Sequence, residues 1–122
     1  MKTQTFILEK TATGYSAYSP HLPVYSTGET WEEARQNVHE ALQLYFNTDQ
    51  TLPLRLRMDL GQFFQYYKVL NARSLAERIG MNPSLLSQYI QGQKQPSAKQ
   101  TQRILEGIRQ IGKELASLDF KL

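Results

Sequence analysis

The chain reads as an α+β protein, with a small β-β-β-α-β unit over residues 1–58 and an all-α unit over residues 59–122. Three observations carry that reading. β-formers and turn residues alternate through the first thirty positions, which is strand-and-turn chemistry. A single amphipathic helix signal follows, opened by a capping sequence. After Met58 no strand pattern returns, and apolar residues recur at spacings of three and four.

The elements follow in order. Thr3–Glu9 (TQTFILE) is the first strand, ended by the turn-prone run from Lys10 to Gly14. Tyr15–Tyr18 is the second, stopped by Pro20 and Pro23, and Val24–Thr27 the third, stopped by Gly28. Gly14 can take positive φ, so the first two strands make a hairpin. Thr30-Trp31-Glu32-Glu33 fits a capping box, and both glutamates complement the positive end of the helix dipole. Trp31, Ala34, Val38, Ala41, Leu42 and Tyr45 then form an apolar stripe for packing on a sheet, and Asn47-Thr48-Asp49 closes the helix. Leu52–Met58 alternates apolar and basic residues, the pattern of a strand with one wet face, and Pro53 favours its beginning or an edge position. Leu60–Leu70 is an aromatic-rich helix with Leu60, Phe63, Phe64, Tyr67 and Leu70 on one face. Ala72–Ile79 and Pro83–Gln91 are short helices, and Ser97 announces a longer one running to about Leu115.

Composition narrows the function. With no cysteine there is no disulfide framework, thiolate nucleophile or cysteine-based zinc site. His21 and His39 stand alone, without neighbouring ligands in a metal-binding pattern, so neither a metal nor another cofactor is expected. No apolar run approaches the roughly 18 residues of a membrane span. The N-terminal MKTQTFILEK lacks the apolar core of a secretory signal, and a cytoplasmic location is expected. The formal charge of +3 is unevenly spread: residues 1–50 hold three basic and six acidic residues, residues 51–122 eleven and five. A basic second part points to a polyanionic partner there.

The segment from Leu75 to Gly92 says which polyanion. Ala76 is small where two helices would cross closely, and Gly80 can take the left-handed conformation that ends a helix in a sharp turn. Asn82 is a good N-cap for a second helix, with Pro83 at its first position. Leu75, Ile79, Met81, Leu86 and Tyr89 supply the buried side, which leaves Ser84, Ser87, Gln88 and Gln91 pointing outward. Short hydroxyl and amide side chains near the start of a second helix suit base edges in the major groove of double-stranded DNA, where Gln88 would pair with adenine N6 and N7. Around them Arg73, Gln91, Gln93, Lys94, Lys99 and Arg103 are candidates for phosphate contact.

Residues 70–112 resemble the lambda-repressor-like (XRE) helix-turn-helix family through Leu75-Ala76, Gly80, Leu86, Gly92 and Pro96, with Ile90 where the family often has an acid. The resemblance implies that Asn82, Ser84 and Gln88 face bases. Residues 5–58 resemble the HicB-type antitoxins. The run from Gly14 to Pro23, then Ser26-Thr27-Gly28-Glu29-Thr30 and Trp31-Glu32-Glu33-Ala34 with Asn37, Glu40 and Ala41, carries that likeness. It departs at His21, where the family usually has an acid, and at Val24. Together these resemblances imply a partly ribonuclease-H-like front fold that binds a HicA-type ribonuclease toxin and covers its catalytic histidine. They also imply repression of the chain's own operon by a dimer or higher oligomer. His21, Leu22 and Tyr25 are the expected partner-binding residues, and at least half of Tyr15, Tyr18, Tyr25 and Trp31 are expected in the core. The dimer surface would be the helix Ser97–Leu115 or the helix Leu60–Leu70. No enzymatic activity is expected, because the strands hold no cluster of carboxylates for magnesium and Glu9 is a lone strand acid. The competing reading is a stand-alone regulator whose front domain senses a small molecule or another protein.

Overall fold

The computed structural model describes residues 2–119. It is α+β, with a four-stranded mixed sheet and five helices among those residues. The chain divides into two compact units, Met1–Tyr66 and Tyr67–Leu122. No helix among the described residues is long and apolar enough to cross a membrane.

In the first unit, β1 (Gln4–Thr11) and β2 (Gly14–Tyr18) form an antiparallel hairpin, and β3 (Tyr25–Gly28) pairs antiparallel with β2. Helix α1 (Trp31–Phe46) then leads to β4 (Leu54–Met58), which pairs parallel to β1 and completes the order β3-β2-β1-β4. The predicted element order is therefore observed, with shifted ends. β1 runs on through Thr11 because Thr11 pairs with Gly14, leaving Ala12-Thr13 as the connection. β3 starts at Tyr25 because Val24 is used in the loop, its amide donating to the Leu22 carbonyl and its own carbonyl accepting from Ser19. β4 starts after Pro53, which has no N–H to donate but whose carbonyl accepts from Gln4 at 3.0 Å.

Alternation sorts the sheet into two faces. Phe6, Leu8 and Ala17 point to one face, where Ala34, Val38 and Leu42 of α1 meet them together with Val24 and Leu52. Leu54, Leu56 and Met58 pack on the edge of that core, while Arg55 and Arg57 are exposed. Full burial of a side chain such as Leu42 is worth about 1.5–3 kcal/mol. The helix starts where its cap predicts: the Thr30 hydroxyl accepts from the Glu33 amide at 3.1 Å. It ends at Asn47, whose left-handed backbone (φ 51°) lets its amide reach back to the last turn.

The stripe predicted for α1 is too wide. Trp31 and Tyr45 are exposed, whereas Ala34, Val38 and Leu42 are buried against the sheet and Ala41 packs beside them. The aromatic residues expected in the core are likewise mostly outside it. Only Tyr15 packs against the core; Tyr18, Tyr25 and Trp31 are 39 %, 75 % and 42 % exposed.

Helix α2 (Leu60–Tyr66) is shorter than the predicted Leu60–Leu70. Tyr66, Tyr67 and Val69 are poor helix formers, and Asn71 already caps the next helix. α2 was expected in the second unit, but it packs on β1 and belongs to the first. Its Gln62 continues the ladder where β4 stops: the side chain accepts from the Lys10 amide at 2.8 Å and donates to the Lys10 carbonyl at 2.7 Å.

His39 on α1 is held below the usual histidine value of 6.5, first by burial and then by the charge of Arg35. The folded unit therefore binds that proton less well than the unfolded chain, so the part of its stability linked to His39 is fully present above 6.5 and declines as pH falls through that value. Urea titrations at pH 5 and pH 8 should show this decline, and His39→Gln should flatten that part of the profile.

The second unit is all helical: α3 (Ala72–Ile79), α4 (Pro83–Ile90) and α5 (Ala98–Ala116). Leu75, Ala76, Met81, Leu86 and Ile104 are buried. α5 approaches α3 at Gly107, where an added Cβ would lie 2.4 Å from Ile79 Cγ2.

Candidate nucleic-acid interface

Each end of the α3–α4 pair is fixed by a side chain or a backbone conformation that the sequence supplies. Asn71 caps α3, its Oδ1 accepting from the Ser74 amide at 2.9 Å. Gly80 ends α3 with a left-handed backbone (φ 73°), and the Met81 amide donates to the Ala76 carbonyl at 2.8 Å. Asn82 caps α4 through a 2.8 Å bond from the Ser84 amide, and Pro83 follows at the first helical position. Gly92, also left-handed (φ 77°), turns the chain beyond α4, where the Gln88 carbonyl accepts from the Gln93 amide at 2.9 Å. Each asparagine cap pairs an otherwise unsatisfied N–H at the start of its helix, worth about 0.5–2 kcal/mol.

This frame sets which side chains α4 presents. Leu86 is fully buried and anchors the helix. Ser84, Ser87, Gln88 and Gln91 recur at helical spacing on another side; Gln88 is half-buried and the other three are exposed. Gln91 Nε2 donates to Ser87 Oγ at 3.2 Å, which orients both. Asn82 is exposed, but its carbonyl oxygen is committed to the cap, so only its amide NH2 is left for another partner. Gln93, Lys94 and Lys99 are exposed beyond the end of α4. Arg73 is exposed on α3 and pairs with Glu77 at 3.4 Å.

Arg103 is placed differently from expectation. The sequence places it on the phosphate-contacting rim, but its Nη2 donates to the Ile79 carbonyl at 2.9 Å and reaches the Gly80 carbonyl at 3.4 Å. Gln100 Oε1 holds its Nη1 at 2.9 Å. A cation at the C-terminal end of α3 meets the negative end of the helix dipole, so α5 straps the turn between α3 and α4. Further along α5, Glu114 forms an ion pair with Arg78, whose hydrogen bond holds the carboxyl below its ordinary range.

Charge follows the same division. Of the chain's 14 basic and 11 acidic residues, five basic and seven acidic lie in residues 1–66, leaving nine and four for residues 67–122.

The expected partner residues of the first unit are only partly presented. Ser19 Oγ accepts from the amides of His21 and Leu22 at 3.2 and 2.9 Å, folding the loop between the two prolines. His21 is exposed there and Tyr25 is exposed on β3, but Leu22 turns inward against the core. Among the described residues no group of three or more His, Cys, Asp or Glu is placed to hold a metal ion. Compared with family models, with curated proteins and with solved structures, the chain finds no match.

Proposed function

We propose that this chain is a cytoplasmic antitoxin of the HicB type that also represses its own operon. The 67–122 unit binds operator DNA as a helix-turn-helix, and the 1–66 unit occludes a small, basic, HicA-type ribonuclease toxin. One observation carries the reading: two capped eight-residue helices hold Ser84, Ser87, Gln88 and Gln91 outward from buried Leu86, in a unit rich in basic residues. Such a face offers amide and hydroxyl groups to base edges in the major groove, while the flanking Lys94 and Lys99 meet phosphates. One copy reads only a few base pairs, so a two-fold pair of chains on two half-sites belongs to the proposal. Occlusion requires no catalytic group on this chain, and the acidic surplus of the first unit favours docking of a basic toxin.

The toxin arm is tested by co-expression with the small ribonuclease gene of the same operon. Rescue of growth and co-purification of the two chains are expected; growth arrest despite soluble expression of this chain would overturn the antitoxin role. On the DNA side, each lost phosphate contact lowers the slope of log affinity against log salt by about 0.9. Lys94→Gln and Lys99→Gln should each do so, weakening all DNA sequences alike. Arg103→Gln should lower affinity without that change in slope, since its guanidinium is spent on the α3 carbonyls. Titrations at several salt concentrations separate the two outcomes.

A further inference from the structure

One face of the sheet in the first unit is covered by α1; across the other runs a row in which two tyrosines and an arginine are exposed on either side of Ile7, itself buried, and of these only Tyr25 is among the expected toxin contacts. The register aligns Tyr25 with Tyr18, Tyr18 with Ile7, and Ile7 with Arg57, one residue from each strand. By alternation these four share the face opposite Phe6, Leu8 and Ala17. Tyr25 and Tyr18 are 75 % and 39 % exposed, and Arg57 is exposed. Arg55 and Thr5 pair in the row on one side of this one, and Glu9, Ser16 and Thr27 align in the row on the other.

We propose that this outer sheet face binds single-stranded RNA, independently of the DNA-binding reading of the second unit. Exposed tyrosines on neighbouring strands are stacking platforms, since every base has a π-face. Arg55 and Arg57 supply the charge for phosphates. The ion pairs among the described residues are Arg73–Glu77 and Arg78–Glu114, so neither arginine is neutralised by a carboxylate. With strands spaced roughly 4.8 Å apart, Arg57 stands about 10 Å from Tyr18 and about 14 Å from Tyr25, a distance a short oligonucleotide crosses. Thr5, Ser16 and Thr27 add hydroxyls that hydrogen-bond to a ribose 2′-OH, the group that distinguishes RNA from DNA. Glu9, the acid on this face, pairs with Ser16 in the register. Its carboxylate accepts from base amino groups and repels phosphate, which turns the bases toward the tyrosines and the backbone toward the arginines.

The test is fluorescence polarisation of the full chain with labelled 12-nucleotide RNA and the matching single-stranded DNA. Tyr18→Ala/Tyr25→Ala and Arg55→Gln/Arg57→Gln should each weaken RNA binding at least tenfold and leave duplex binding unchanged. Tyr18→Phe/Tyr25→Phe keeps the rings and should retain RNA binding, which separates stacking from a folding defect. Lys94→Gln/Lys99→Gln should leave RNA binding on the sheet intact. RNA affinity that ignores the sheet substitutions, or that disappears only with the two lysines, would overturn the proposal. Equal affinity for single-stranded DNA, or competition by polyglutamate as strong as by RNA, would also overturn it.

Discussion

Gly28→Ala is expected to destabilise the first unit by about 3 kcal/mol or more, the upper end of what overpacking costs. A Cβ at this position would lie 2.3 Å from the Ala34 nitrogen and 2.7 Å from its Cα, backbone atoms of α1 that cannot step aside as a flexible side chain would. Relief would require α1 to lift from β3, which withdraws Ala34, Val38 and Leu42 from the sheet and gives up the core they complete. Gly14 belongs to the same junction: its own Cβ would meet the Gly28 carbonyl oxygen at 2.2 Å, so two glycines let β2, β3 and the start of α1 come together. Trp31 is the sole tryptophan, and its fluorescence reports on this junction during urea unfolding. A midpoint equal to wild type would show that the close approach is dispensable.

Leu86→Ala should cost about 2–5 kcal/mol, the range for removing a leucine from a packed core. Leu86 is fully buried, and with Leu75, Ala76, Met81 and Ile104 it makes up the buried apolar set among the described residues of the second unit. A unit this small has little stability in reserve, so the loss should leave it largely unfolded at 37 °C. Leu86→Met conserves volume and should cost less than about 1.5 kcal/mol. Hydrogen exchange at the amides of α3 and α4 follows this unit directly. The alanine variant should lose protection throughout both helices, and retained protection would mean that the pair is held by something other than this core.

Much of the architecture is legible in the sequence because it rests on local chemistry. Thr30, Asn82 and Ser97 cap the helices they precede, and Gly80 takes the left-handed turn its position demands. The alternation of Leu54–Met58 places arginines outside and apolar residues inside, as a half-buried strand requires. What escapes is tertiary. Gly28 reads as the end of a strand, and nothing local announces that a helix backbone will pass within van der Waals range of it. Spacing puts Trp31 and Tyr45 on the apolar side of α1, but only part of that side is buried against the sheet.

The candidate site divides the same way. The exposed serines of α4 follow from periodicity, whereas two assignments change on contact with neighbours. Arg103 looks like a surface cation until α5 brings it against the carbonyls that end α3. Asn82 looks free to meet a base, yet capping α4 takes its carbonyl oxygen. Arg55 and Arg57 count toward the basic second part of the sequence, but β4 places them on the sheet of the first unit.

The DNA-binding claim is tested most directly by gel-shift titration of the purified chain against the DNA upstream of its own gene. Shuffled DNA serves as the competitor, two salt concentrations are used, and Gln88→Ala is run beside the wild type. Sequence-selective binding that weakens with salt is expected, with a loss of about 1–3 kcal/mol for Gln88→Ala and relaxed discrimination at one base pair. A folded wild-type chain that binds none of this DNA at low salt would contradict the claim, and the α3–α4 pair would then be better explained as a surface for another protein.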